Sequence, residues 1–184
     1  MLTREDILQA AEEVLRRYGP AKANVVDVAR ALNVSHGSVY RHFPSKAALR
    51  KAVAERFLDS MSAPLEEIDD PKTWFDTLVA TKRAKAAEDP ELFATYVALA
   101  HESDDVVRRH VDDLVGQLTA MLGDERTARA VFDATARFHD PRHADEWSAP
   151  GVDDAFEGVW ALLGQAMTRP ASSALVGQRR SVRR

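Results

Sequence analysis

The 184-residue chain is 45% hydrophobic and 29% charged with eight Gly and eight Pro, which excludes a fully disordered or fibrous polymer. It contains no cysteine, so disulfide scaffolds, thiolate-held zinc and thiol catalysis are excluded, and any metal would need histidine and carboxylate ligands. The net charge of −4 is unevenly spread: residues 1 to 60 carry ten Lys/Arg against seven Asp/Glu, residues 61 to 168 ten against twenty-two, and the tail from Arg169 to Arg184 five Arg and no acid. A polyanion such as nucleic acid is therefore expected to meet the first sixty residues or the tail, not the middle. The longest nearly unbroken apolar stretch, Val159 to Met167, falls far short of the roughly 20 residues that span a bilayer. The opening residues turn acidic at Glu5-Asp6 and lack the basic flank and apolar run of a secretory signal. The expectation is a cytoplasmic protein that does not cross a membrane.

Helical periodicity continues along almost the whole chain and no segment alternates long enough for a strand, so the expected fold is all-α. Thr3 with Asp6 reads as a capping box, followed by an apolar stripe of Ile7, Leu8, Ala11, Val14, Leu15 and Tyr18 and a stop at Gly19-Pro20. Asn24 with Asp27 starts a second helix, with Val28, Ala29 and Leu32 inward as far as Asn33-Val34. Ser35 caps a short third helix that Pro44 stops, and Ser45 opens a longer one carrying Leu49, Val53, Phe57 and Met61. Further helices are expected from Pro71 to Ala87, from Asp89-Pro90 to about Ala100, from Ser103-Asp104-Asp105 to Leu122 before Gly123, near 125 to 138, and near 152 to 168. Phe138 to Gly151, with two Pro, two His and a Trp, reads as an irregular loop, and the tail beyond Arg169-Pro170 as disordered.

The most informative stretch runs from Asn24 to Leu49. A helix, a tight turn at Asn33-Val34-Ser35 and a second short helix give helix-turn-helix geometry, whose second helix can enter the major groove. Ser35 and Ser38 offer hydroxyls, Gly37 permits close backbone approach, and Tyr40, Arg41, His42 and Lys46 supply donors for phosphate oxygens; Val39 and Phe43 face the core. Lys46, Arg50, Lys51 and Arg56 add to a basic cluster, although Lys51 and Arg56 taken singly read equally as solvated side chains or as phosphate contacts.

At these residues the chain resembles the TetR family of bacterial transcriptional regulators, in the alanine-centred second helix, the Val-Ser turn, and the Tyr-x-His-Phe-x-x-Lys run. The resemblance covers about residues 5 to 57; it departs at Asn24-Val25-Val26, where threonines are common, but Asn still caps a helix. It implies Ser35, His36, Gly37 and Ser38 near base edges and Tyr40, His42 and Lys46 on the backbone, in a DNA-binding head of residues 1 to 48. A linking helix over about 45 to 62 would then join an effector-binding and dimerisation domain of residues 49 to 168.

In that second part Trp74, Phe93, Tyr96, His101 and Trp147 are the candidates to line an effector cavity, with packing in the core as the plainer reading of each. A net charge of −12 disfavours a highly anionic effector unless Arg108, Arg109, Arg137 or Arg142 turns inward. His139 and His143, with three residues between them and Asp145 and Glu146 nearby, are the candidates for a metal, and ordinary loop structure is the plainer reading. Val131, Phe132, Phe156, Val159, Trp160 and Leu163 form the stripe expected to face a second copy, the seam that the resemblance implies. No nucleophile elbow, phosphate loop or zinc-protease run occurs, so neither an enzyme nor a cofactor is expected. The expected function is a homodimeric repressor released from double-stranded operator DNA by a small molecule. The alternative is a helical carrier or interaction protein whose DNA-binding head is vestigial.

Overall fold

The computed structural model describes residues 1–19, 24–102 and 104–168. Pro20, Ser103 and the tail from Arg169, read as a helix stop, a helix start and a disordered end, lie outside the described residues. The described chain is helical without a strand: α1 (Arg4–Tyr18), α2 (Val25–Ala31), α3 (His36–Tyr40), α4 (Lys46–Ser62), α5 (Pro71–Glu88), α6 (Pro90–His101), α7 (Asp104–Leu122), α8 (Glu125–Ala134), α9 (Ala136–His139) and α10 (Val152–Thr168). Among the described residues no helix is long and apolar enough to cross a membrane.

The boundaries follow from local hydrogen bonding. Thr3 Oγ1 accepts from the Asp6 backbone N–H at 3.1 Å while Asp6 accepts from the Thr3 N–H at 2.8 Å, a reciprocal cap that also holds the Asp6 carboxyl below its usual range. Asn24, Ser35, Ser45, Asp70, Asp89 and Asp124 each accept from a backbone N–H of the following turn, contributing about 1 kcal/mol apiece. Gly123 ends α7 at φ 74°, a backbone region that costs glycine little. Two readings of the sequence need correction. Tyr18, placed on the apolar stripe of α1, is 51% exposed, because the helix ends beneath it at Gly19. Phe138 to Gly151 is not irregular throughout: α9 and a 3₁₀ turn over Pro141–Glu146 precede a buried Trp147, whose Nε1–H donates to the Arg137 carbonyl at 3.0 Å.

Two cores form. The first runs from α1, α2 and α3 through Leu49, Val53 and Phe57 of α4 to Phe93, Tyr96 and Leu99 of α6 and Trp147, so no gap in packing falls near residue 48. The second gathers Trp74, Phe75 and Leu78 of α5 with Leu114 and Leu118 of α7, Val131 and Phe132 of α8, Phe138 and Phe156. Between α5, α7 and α9 three basic side chains, Lys82, His110 and His139, are nearly sealed from water. Lys82 donates to the His139 carbonyl at 3.0 Å, His139 Nε2 lies 3.2 Å from both the Phe132 carbonyl and Thr135 Oγ1, and His110 Nδ1 lies 3.4 Å from Ser62 Oγ. Burial is the main cause that lowers Lys82 to about 8, against the opposing charge of Asp140; burial and then the Lys82 charge lower His110 to about 4 and His139 to about 3.

Stability is expected to fall as the pH drops below about 6.5. Between the folded values and the ordinary histidine value of 6.5 the unfolded chain binds more protons than the folded one, so stability rises with pH across that window. Melting temperatures from pH 7.5 to 5.5 check this, and His110→Gln should flatten part of the slope. A melting temperature that does not fall across that range contradicts the assignment.

Candidate nucleic-acid interface and effector groove

The turn into α3 is made by Asn33 at φ 52°, a left-handed conformation that asparagine tolerates, with the Val34 N–H donating back to the Ala29 carbonyl at 2.9 Å. Ser35 Oγ accepts from the Ser38 N–H at 3.2 Å and lies 2.9 Å from Ser38 Oγ, and Arg41 Nη2 reaches Ser38 Oγ at 3.5 Å. Val39 and Phe43 are fully buried and seat the helix on the core. Ser35, His36, Gly37, Tyr40, Arg41 and Lys46 are exposed beside them, and Ser38 and His42 are half-buried. The eight residues singled out from the sequence thus share one solvent-facing segment.

Arg4 was missed by the sequence reading. Its Nη1 donates to the His42 carbonyl at 3.1 Å and its guanidinium lies 4.1 Å from the centre of the Phe43 ring, so α1 holds the end of the α3 segment. Its place at the first position of a capped helix gives no sign of a partner 38 residues on.

Gly37 is informative because the protein itself does not require it. A Cβ there would meet nothing closer than Ser35 Oγ at 3.8 Å, and the backbone lies within a helix. Glycine in a helix costs about 0.5–1 kcal/mol relative to alanine, so its presence favours an explanation from outside the chain, a surface that approaches the backbone closely.

No carboxylate occurs between Asp27 and Glu55. The cations from Arg30 to Arg56 nevertheless divide into two sets, and Arg30 belongs to the paired one through Asp27 at 3.0 Å. Arg50 pairs with Glu102, Lys51 Nζ with Asp105 Oδ2 at 2.5 Å, and Arg56 with Glu5 and, through Nε at 3.0 Å, with Glu12. These tie α4 to α6, α7 and α1, so Lys51 and Arg56 are neither simply solvated nor held out for phosphate. Arg41 and Lys46 form no ion pair among the described residues, which leaves two exposed charges beside α3.

The candidate effector residues do not all meet. Phe93 and Trp147, in edge-to-face contact at 6.0 Å, line a groove of about 640 Å³ between the end of α5, α6 and residues 141–148. Tyr96, 5% exposed, lies instead on the other side of Phe93, stacked on Phe57 at 4.3 Å. Trp74 is sealed in the second core with its Nε1–H donating to Gln117 Oε1 at 2.9 Å, because Phe75, Leu78 and α7 surround it. His101 is exposed at the end of α6. The four arginines whose inward turn would have admitted a highly anionic effector all face outward or pair at the surface: Arg109 pairs with Glu55 and Asp105, Arg137 with Glu146, Arg142 with Asp140, and Arg108 is exposed. Arg83, passed over in the sequence, lines the groove. Its one signal is helical: Ala86 and Ala87, three and four residues on, line the groove with it.

The two metal candidates diverge. His139 is 2% exposed and hydrogen-bonded within the core, whereas His143 lies 3.2 Å from Glu146 at the surface, and no cluster of metal-ligating side chains occurs among the described residues. The expected seam divides as well. Val131, Phe132 and Phe156 are buried within the chain's own second core; Val159, Trp160 and Leu163 are half-buried, with Trp160 5.5 Å from Phe75. Leu162, outside the predicted stripe, is a large apolar side chain of α10 that faces outward at 67% exposure.

The helix-turn-helix segment and the helices behind it match known proteins. The family described as bacterial regulatory proteins, tetR family, matches residues 7–53, and the tetracyclin repressor-like C-terminal domain matches residues 72–124 and 123–160. The chain belongs to the TetR family. It is 37% identical over 79 residues to an uncharacterised HTH-type transcriptional regulator, YvdT, of Bacillus subtilis, 41% of each chain. To the nucleoid occlusion factor SlmA of Vibrio cholerae it is 36% identical over 76 residues, 41% of this chain and 38% of the other. The match thus spans about two fifths of these curated relatives. Over nearly the whole TetR-family chain the fold resembles that of BioQ solved with its double-stranded DNA operator (TM-score 0.60, 20% identity, 90% of this chain and 99% of that one). It also resembles SmeT, the repressor of the Stenotrophomonas maltophilia multidrug efflux pump SmeDEF (TM-score 0.58, 20% identity, 88% and 90%).

Gly37→Ala is expected to leave the melting temperature unchanged or slightly raised while weakening DNA binding about tenfold or more. Lys46→Ala should weaken binding to all sequences and lower the salt slope by about one. Calorimetry and fluorescence anisotropy at several salt concentrations check both. Full DNA affinity in Gly37→Ala contradicts close backbone approach.

Proposed function

We propose that this chain is a cytoplasmic, non-enzymatic repressor that binds double-stranded operator DNA as a homodimer and is released by a small molecule. The observation that carries the reading is the exposed α3 segment, with a glycine that its own fold leaves unexplained and, beside it, two exposed cations that form no ion pair among the described residues. Ser35, His36, Gly37 and Ser38 would face base edges, with Tyr40, Arg41, His42 and Lys46 on phosphates. A two-fold dimer places two such helices about 34 Å apart, on successive major-groove faces of a pseudo-palindromic site.

Release follows from the packing of α4. Phe93 of the groove meets Phe57 edge-to-face at 6.0 Å, and Phe57 belongs to the helix that begins directly after α3. A ligand that moves Phe93 or Trp147 therefore moves α4, and with it the spacing of the two α3 helices. A coupling of about 1 to 3 kcal/mol is enough to change operator affinity about 5- to 150-fold.

Selection from random DNA followed by gel shift tests the reading: the chain should enrich an inverted repeat. A carrier with a vestigial head would enrich none. Leu162→Asp should convert a dimer to a monomer in sedimentation with little change in melting temperature, since Leu162 is outside the core. Trp160→Asp is a poorer probe, because Trp160 also packs on Phe75 and its loss strikes the core. A Leu162→Asp protein that remains fully dimeric would place the seam elsewhere.

A further inference from the structure

We infer that the groove beside α6 takes an amphipathic monocarboxylic acid, with Arg83 receiving the carboxylate and the apolar body lying against Phe93, Val97 and Trp147. This rests on the effector reading above and supplies its ligand class. The groove, about 640 Å³, falls within the range of small-molecule sites. Its walls are mostly apolar: Ala86, Ala94 and Val97 lie beside the two aromatic rings.

The guanidinium supplies the polar end. Arg83 Nη1 is held by Asp153 Oδ1 at 2.5 Å, which fixes the side chain's place. Its Nε and Nη2 are closed to water and have no hydrogen-bond partner, a condition that among the described residues only His110 Nε2 shares, so a carboxylate reaches them through a small turn of this groove-lining side chain and relieves two buried, unpaired donors. Nε–H and Nη2–H lie along the same edge of the guanidinium, opposite the Nη1–H already engaged with Asp153. Their hydrogens run nearly parallel, the fork that fits two carboxylate oxygens at once. A neutral hydroxyl brings one uncharged oxygen to the two donors, where a carboxylate brings one charged oxygen to each. Phosphate groups of high charge would meet the surrounding excess of acids, twenty-two against ten cations over residues 61 to 168, whereas a single carboxylate adds one negative charge to the Arg83–Asp153 pair and takes the two donors that pair leaves over. Asp145, the acid that lines the groove, is exposed and remains hydrated.

The probes are octanoate, dodecanoate and 2-naphthoate, each paired with its neutral alcohol, titrated calorimetrically into the full chain. At least one acid should bind about tenfold or more tightly than its alcohol. Arg83→Gln should erase the difference while keeping alcohol affinity, and Arg83→Lys, which keeps the charge but not the fork, should lose most of it. Ala94→Trp should block acid and alcohol alike by filling the groove. Melting curves of each variant confirm folding. Acids no tighter than alcohols across the panel, or an acid preference that survives Arg83→Gln, overturns the inference. Gel shift on the same samples separates the two readings. An acid that binds through Arg83 without releasing DNA overturns the effector reading and leaves the ligand class standing. DNA release by compounds that bind Arg83→Gln equally well overturns the ligand class and leaves the repressor standing.

Discussion

Phe57 lies on Tyr96 with ring centres 4.3 Å apart and planes 12° from parallel, and this stack fixes how the N-terminal helices sit on the rest of the chain. Phe93 closes on the same ring from its edge, and Trp147 closes on Phe93. Each aromatic pair adds about 0.5–1.5 kcal/mol to the burial of its rings, and removing one large buried ring costs about 3–5 kcal/mol. The ion pairs of α4 with α1, α6 and α7 are partly exposed and contribute at most about 1 kcal/mol each. The rings therefore supply the cohesion, and the ion pairs set the register of α4 against its neighbours.

That division of labour explains how a weakly basic segment can serve a polyanion. A count of charges over residues 1 to 60 overstates what is available to DNA, because Arg50, Lys51 and Arg56 are spent within the chain. What faces outward is smaller and local: Arg41, Lys46 and the hydroxyl and imidazole donors around α3. The same helix α4 begins next to those donors and carries Phe57 into the core behind the groove, so the exposed α3 segment and the groove's aromatic wall rest on one element, which is what the proposed release requires.

The sequence made the first fifty residues readable because their information is local. Caps at Thr3, Asn24, Ser35 and Ser45 act within a turn, and burial of Val39 and Phe43 follows from a four-residue spacing. Long-range placements were not legible. Trp74, Phe93, Tyr96 and Trp147 look alike as aromatic residues on apolar faces, and only the packing of α5, α6 and α7 sends Trp74 into a sealed core and Phe93 and Trp147 to a groove. Arg83 was hidden for the opposite reason: its neighbour Lys82 is buried, and nothing in a charged residue's type reveals that two of its N–H groups lack partners. The α10 stripe was legible as a stripe, but its division between the chain's own core and an outer face depends on where α5 and α9 pack.

The central claim is that the groove and the DNA-facing helix are coupled through Phe57. A double-mutant cycle on operator affinity measures this most directly, with Ala94→Trp filling the groove in the wild-type and in the Phe57→Leu background. The account predicts that Ala94→Trp changes operator affinity severalfold in the wild type and much less once the ring stack is gone, a non-additivity of about 1 kcal/mol or more. Strictly additive effects of the two substitutions would contradict it.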